Sequence, residues 1–206
     1  MWPFVQLHAI RPGTQGQRVG AAQVSWRLRK SVVLVGMMGA GKTAVGTQLA
    51  RSLGCAFTDS DDEIVRAANM TIPEIFARDG EAFFRAREAE VLARLLRGPT
   101  QVLSTGGGAF LSPANRAAIA ERAVSVWLRA EVEVLWSRVR HRSHRPLLRT
   151  ADPRGTLAAL AQARAPVYAL ADVIVDSLPG LSIDAMAQRV IAALAARGDV
   201  VEPVGG

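Results

Sequence analysis

Gly36-Met37-Met38-Gly39-Ala40-Gly41-Lys42-Thr43 sets glycines, a lysine and a hydroxyl at the GxxxxGK[ST] spacing that cradles phosphate. Small residues let the backbone curl until successive N–H groups point inward at phosphate oxygens, and a helix starting there adds its positive partial charge. Gly39, Ala40, Gly41 and Ala44 are the expected backbone lining of such a loop. Lys42 is expected to reach the β- and γ-phosphates of a nucleotide, and Thr43 to ligate the Mg²⁺ that bridges them. Read alone, the same pattern also fits a glycine-rich turn that caps an ordinary helix and leaves its lysine in water.

A second group of candidates is acidic. Asp59-Ser60-Asp61 follows a short apolar run, and carboxylates at the carboxyl edge of a parallel sheet face the ligand. On its own the cluster also describes a helix N-cap with solvated charges. Beside a phosphate loop it takes another meaning, because phosphoryl transfer needs an acid near the metal and a group to orient the attacking hydroxyl; Asp59 is assigned the first role and Asp61 the second. Gly106-Gly107-Gly108 follows another apolar run and would leave backbone N–H groups open to close approach. Arg85 and Glu88 are three apart on a helical stretch and can meet on one face. Arg145 lies in a loop before Pro146, and Arg164 precedes Ala165-Pro166; singly each also reads as a solvated side chain. His8, His141 and His144 have no zinc-ligand spacing.

The elements that must position these groups alternate regularly. Ser31–Val35, Cys55–Thr58, Gln101–Ser104, Val124–Leu128 and Val173–Asp176 read as short strands. Helical periodicity begins at Lys42 and recurs over Asp61–Ala68, Ile72–Arg78, Glu81–Leu96, Pro113–Arg122, Glu131–Arg140, Pro153–Leu170 and Ile183–Ala196. Five strands separated by helices imply an α/β fold with a parallel sheet covered on both faces. His141–Pro153 has no apolar period and is expected as an exposed connection. Residues 1–30, with arginines and one lysine but no acid, read as a basic N-terminal extension, residues 31–197 as one domain, and 198–206 as a loose, flexible tail.

Composition removes several classes. With 206 residues, half of them hydrophobic and about a fifth charged, the chain suits a single globular core, and no apolar run approaches the ~20 residues of a membrane span. The net charge of +7 favours anionic partners, but the basic residues are dispersed and aromatic residues are sparse, which argues against nucleic acid. Cys55 is the single cysteine, so no internal disulfide can form, and a reducing cytoplasm is consistent with it.

From about Ser31 to Ala196 the order and spacing of motifs resembles shikimate kinase: GMMGAGKT, FTDSD, TIPEIF, GEAFFRAREAEVL, STGGGA, RPLL, and RAPVYALAD ending at Asp172. The resemblance implies a three-layer P-loop kinase fold like that of nucleoside monophosphate kinases, with a five-stranded parallel sheet and a lid. It implies ATP and Mg²⁺, and transfer of the γ-phosphoryl group to the 3-hydroxyl of shikimate. It makes Asp61, Arg85 and Arg164 the shikimate-binding residues, closed in by Gly107 and Gly108, with Glu88 orienting Arg85. It makes Arg145 the lid arginine that completes the catalytic set with Lys42 and Asp61, and Arg138 the residue that stacks on adenine. Asn69 stands where the family has glycine, and it too tolerates a left-handed turn. The expected partners are small molecules, with no nucleic acid, no membrane and a monomeric state. Two other readings keep the scaffold and change the chemistry. A gluconate or nucleoside monophosphate kinase would not need Arg85 and Arg164 together, and a non-catalytic nucleotide switch would leave Asp59 and Asp61 expendable.

Overall fold

Short β-branched and aliphatic runs form the strands, and the amphipathic stretches between them form the helices. In the structure, a computed structural model that describes residues 25–141, 146–148 and 150–204, the strands are β1 (Ser25–Leu28), β2 (Ser31–Val35), β3 (Ala56–Asp59), β4 (Gln101–Ser104), β5 (Ala123–Arg129), β6 (Val173–Asp176) and β7 (Val201–Val204). The helices are α1 (Lys42–Ser52), α2 (Ser60–Ala68), α3 (Ile72–Leu96), α4 (Pro113–Arg122), α5 (Val132–Val139), α6 (Pro153–Tyr168) and α7 (Ile183–Arg197).

Strands β3, β4, β2, β5 and β6 lie in that order in one parallel sheet flanked by helices, the α/β architecture expected from the alternation of periods. The central strand β2 is buried along its whole length, which is why it reads as an unbroken apolar run. The β3–β4–β2 register places Asp59 beside Ser104 and Ser104 beside Leu34, so these strands end at one level and deliver their loops to one edge. Helix α3 joins the two expected helical runs through a kink at Gly80, whose φ of 80° and ψ of 173° lie outside the helical region. Asn69 takes φ 49° and ψ 36° to end α2, as its tolerance for the left-handed region allows. A capping box between Thr71 and Glu74 then starts α3.

The chain ends differ from expectation. Instead of lying in an extension and a loose tail, β1 and β7 pair as an antiparallel two-stranded ribbon with Ser25 opposite Val204 and Leu28 opposite Val201. Arg29 N–H donates to the Val200 carbonyl at 2.8 Å, and Val200 and Val201 are buried at the base of the core. Both strands are four residues long and carry charges or a proline in place of an apolar alternation, so periodicity gives no sign of a pairing between residues about 175 positions apart. Residues 1–24 and 205–206 lie outside the described residues.

Helix α1 sits unusually close to the sheet. A β-carbon on Gly46, a buried position of α1, would fall 2.4 Å from Phe57 Cε2 of β3 and 3.1 Å from Leu34 Cδ1 of β2. That approach brings Thr43, at the start of α1, within 3.0 Å of Asp59, at the end of β3. Glycine to alanine inside a helix ordinarily stabilises it, whereas here overpacking reverses the sign. Gly46→Ala is expected to lower unfolding free energy by ~1–3 kcal/mol in urea melts, and to weaken nucleotide binding by displacing the start of α1.

Candidate active site

Most of the candidate side chains stand at or near the end of an element, while Arg85 projects from the middle of α3. After β2 the backbone turns through Gly39 and Gly41 at φ of 83° and 92°, conformations that other residues rarely adopt, and α1 starts at Lys42. Lys42 Nζ donates to the carbonyls of Gly36 at 2.9 Å and Met37 at 3.1 Å, so its ammonium lies along the inside of the loop. Ala40 is buried in the loop, and Ala44 follows Thr43 on the first turn of α1.

Asp59 is both the last residue of β3 and the N-cap of α2. One oxygen, Oδ1, accepts from Asp61 N–H at 3.0 Å, while Oδ2 accepts from the Thr43 hydroxyl at 3.0 Å. The helix cap and the partner of the phosphate loop are therefore the same carboxylate. This geometry unites the two alternative readings of the acidic cluster. A hydroxyl and a carboxylate are hard oxygen donors, and Mg²⁺ is commonly held by one or two such groups together with phosphate oxygens. The donor set fits that ion, and among the described residues no group of three or more acidic, histidine or cysteine side chains forms a denser metal cage.

Asp61 points into the site from the first turn of α2. Burial, chiefly, with the neighbouring charges of Asp59 and Glu88 in support, pushes its carboxyl up to about 6 against the pull of Lys42. Its Oδ1 is buried without a hydrogen-bond partner, and so is Oε1 of Glu88. Both oxygens face Gly106, where a β-carbon would lie 2.7 Å from Asp61 Oδ1 and 3.2 Å from Glu88 Oε1. Burial also raises the Glu88 carboxyl, opposed by Arg85, whose Nη1 donates to Glu88 Oε2 at 2.8 Å. Arg85 is held on its other side by Glu81 Oε1 at 3.1 Å.

None of the residues of the glycine triplet has positive φ, and at Gly106 and Gly108 the structure shows a requirement for space that the sequence did not display. A β-carbon on Gly108 would lie 2.5 Å from Arg85 Nη1, so the guanidinium rests directly against the backbone. Arg164 approaches from α6, its Nη1 donating to the Gly107 carbonyl at 3.4 Å. Arg85 and Arg164, 79 positions apart in the sequence, thus flank one tripeptide. A cleft of about 670 Å³ connects Gly107 and Asp61 with Lys42, Thr43, Asp59 and Arg138.

Arg138 lies over the phosphate loop, donating through Nη1 to the carbonyl of Gly39 at 3.2 Å and to Ser177 Oγ at 3.1 Å. The far wall comes from Ser177, Leu181, Ser182, Ile183 and Met186, which sequence reasoning did not select. Their position just beyond the carboxyl end of β6 was the available signal. Tyr168 was also passed over; its hydroxyl donates to the Gly107 carbonyl from within the core. Arg145 and His144 lie outside the described residues.

Residues 38–195 match the family model described as shikimate kinase. A shikimate kinase of Cereibacter sphaeroides is 62% identical over 188 residues, which cover 91% of this chain and 94% of that protein. Among solved structures, a shikimate kinase from Acinetobacter baumannii in complex with shikimate superposes with a TM-score of 0.78 at 38% identity, covering 82% of this chain and 94% of that one. A gluconokinase from Sinorhizobium meliloti shares the fold, with a TM-score of 0.54 at 19% identity over 83% of this chain and 94% of its own.

A carboxyl raised above its unfolded value favours folding when protonated and loses that contribution as pH climbs through the folded value. Asp61 therefore destabilises the ligand-free protein above about pH 6. Asp61→Asn is expected to abolish turnover yet raise unfolding free energy by ~1–2 kcal/mol at pH 8. The gain should disappear as the pH is lowered to 4, which urea melts at the two pH values will show.

Proposed function

The chain belongs to the shikimate kinase family, and from that premise we infer that its cleft moves the γ-phosphoryl group of ATP onto the 3-hydroxyl of shikimate, giving shikimate 3-phosphate and ADP. The product feeds the route to chorismate and the aromatic amino acids. The observation that supports the site assignment is the approach of Arg85 to Gly108 and of Arg164 to Gly107, with Gly107 itself a wall of the cleft that holds Lys42 and Asp61. Two guanidinium groups suit a planar carboxylate, which shikimate has.

In this reading Arg85 and Arg164 clamp the acid, and Glu88, buried and bonded to Arg85, fixes the angle of the first guanidinium. Asp61, with an unpartnered buried oxygen, takes the hydrogen bond of the ring hydroxyl and orients it. Above about pH 6 that carboxyl is mostly ionised and can accept the proton as the new P–O bond completes. Phosphoryl transfer proceeds through a loose transition state, so the larger gains come from alignment and from charge neutralisation, with proton removal late. Gly39, Ala40, Gly41 and Ala44 supply the backbone lining of the phosphate site, and Lys42 would exchange its loop carbonyls for phosphate oxygens. Mg²⁺, held by Thr43 and Asp59, would neutralise charge between the β- and γ-phosphates when bound. Arg138 bounds the nucleotide end and is assigned to the adenine face. Arg145 is assigned to the lid on the family pattern alone.

No helix among the described residues is long and apolar enough to cross a membrane. We place the protein in the cytoplasm as a monomer whose partners are ATP and shikimate, with residues 31–197 as the catalytic domain.

A coupled assay of ADP release tests the function. Shikimate is expected to stimulate release at least ~10-fold over background hydrolysis, and gluconate is expected to have no effect; release that ignores shikimate would sink the reading. Arg164→Ala leaves an anion partly unpaired and is expected to raise the KM for shikimate ~30-fold or more, with the KM for ATP little changed. Arg145→Ala is expected to depress kcat far more than shikimate affinity, and unaltered turnover would refute its lid role.

A further inference from the structure

One buried polar group near the acceptor loop has no part in the scheme above. Tyr168 closes α6 with 1% of its surface exposed, its ring tilted against Trp127 at 5.8 Å between centroids. The hydroxyl donates to the Gly107 carbonyl and lies 3.9 Å from Met37 Sδ. A β-carbon on Gly107 would sit 3.6 Å from the Gly36 carbonyl and 3.7 Å from this hydroxyl. Gly36 and Met37 are the residues whose carbonyls anchor Lys42. The phenol therefore stands where the first residues of the phosphate loop meet the middle of the acceptor loop.

We propose that Tyr168 is a positioning residue, a fixed strut that sets the Gly106–Gly108 loop at its working distance from the phosphate loop and so aligns the acceptor hydroxyl with the γ-phosphate. The inference rests on the reading of Arg85, Arg164 and the triplet as the shikimate site. Arg164 bonds the same Gly107 carbonyl from one turn earlier on α6, but at 3.4 Å. It is also the group that must reach the substrate carboxylate. A carbonyl held by Arg164 alone would be tied to a side chain with a second task. Tyr168 is buried and also interacts with Arg164 through its hydroxyl, so it holds the Gly107 carbonyl and the guanidinium beside it together. Burial pushes the phenol above its ordinary value against the pull of Arg164, which keeps it a donor near neutral pH.

Tyr168→Phe deletes the donor and keeps the ring against Trp127. The test measures ADP release with saturating ATP, with and without saturating shikimate, alongside a urea melt. The ratio of shikimate-dependent turnover to background hydrolysis is expected to fall about tenfold, the scale of one buried hydrogen bond and a lost alignment. Trp127→Phe keeps the hydroxyl and loosens the packing of the ring and of Gly36 beside it; it should lower stability and leave the ratio within twofold of wild type. The proposal is overturned if Tyr168→Phe keeps the wild-type ratio, if it no longer folds at 25 °C, or if Trp127→Phe lowers the ratio equally. Absence of shikimate stimulation in the wild-type protein would instead overturn the functional reading, so the two failures are distinguishable.

Discussion

The register of three neighbouring parallel strands is the constraint on which the site depends. Because β3, β4 and β2 are paired with Asp59, Ser104 and Leu34 at one level, the acidic cap, the glycine triplet and the phosphate loop leave the sheet side by side. Side-chain direction alternates along a strand, so a slip of one residue would turn Asp59 away from Thr43 and reverse which face of β3 meets Gly46. The register is specified strongly, since β2 and β4 are buried at every position and tolerate no exchange of faces. The loops inherit their starting points from the core.

Electrostatics explains why that edge is expensive and why it persists. Asp59, Asp61 and Glu88 crowd the same small region, with Arg85 and Lys42 as the near counter-charges. Burial disfavours the ionised form of both Asp61 and Glu88, and each keeps an oxygen without a hydrogen-bond partner. Such groups cost stability in a ligand-free protein. The cost becomes intelligible when the oxygen of Asp61 is meant for a substrate hydroxyl and the guanidinium beside Glu88 for a substrate acid. A site satisfied by its own protein would have nothing left to recognise.

Much of this was legible in the sequence, and the rest was hidden for identifiable reasons. The five-stranded parallel sheet follows from buried runs such as Ser31–Val35, because burial on both faces leaves an unbroken apolar segment. The phosphate loop is legible because its glycines answer a backbone requirement that few other residues meet. By contrast β1 and β7 carry Arg27, Glu202 and Pro203 in short segments that pair with each other, and no local pattern records a pairing between such distant positions. The glycine triplet lies at the edge where the alternation of elements puts it, but a second reason for glycine there was not legible: Gly106 and Gly108 leave space for the carboxylate of Asp61 and the guanidinium of Arg85. Space is a property of neighbours, which a single sequence does not display. Tyr168 was hidden because a tyrosine on the apolar face of a helix looks like core.

Helix α6 joins two functions that the sequence keeps apart. Arg164 and Tyr168 are four residues apart and so lie on one face, and both donate to the Gly107 carbonyl. The same helix begins at Pro153, capped by Asp152 and held near α5 by an ion pair between Arg154 and Glu133. The connection from α5 to α6 contains the RPLL segment and Arg145. Helix α6, sixteen residues long with Pro166 between Arg164 and Tyr168, carries both side chains to one carbonyl of the acceptor loop. Any shift of α6 along its axis would move Arg164 and Tyr168 together and change their shared bond to Gly107. The two donors on α6 are in this sense one mechanical unit, set against a phosphate loop that belongs to α1 and the central strand.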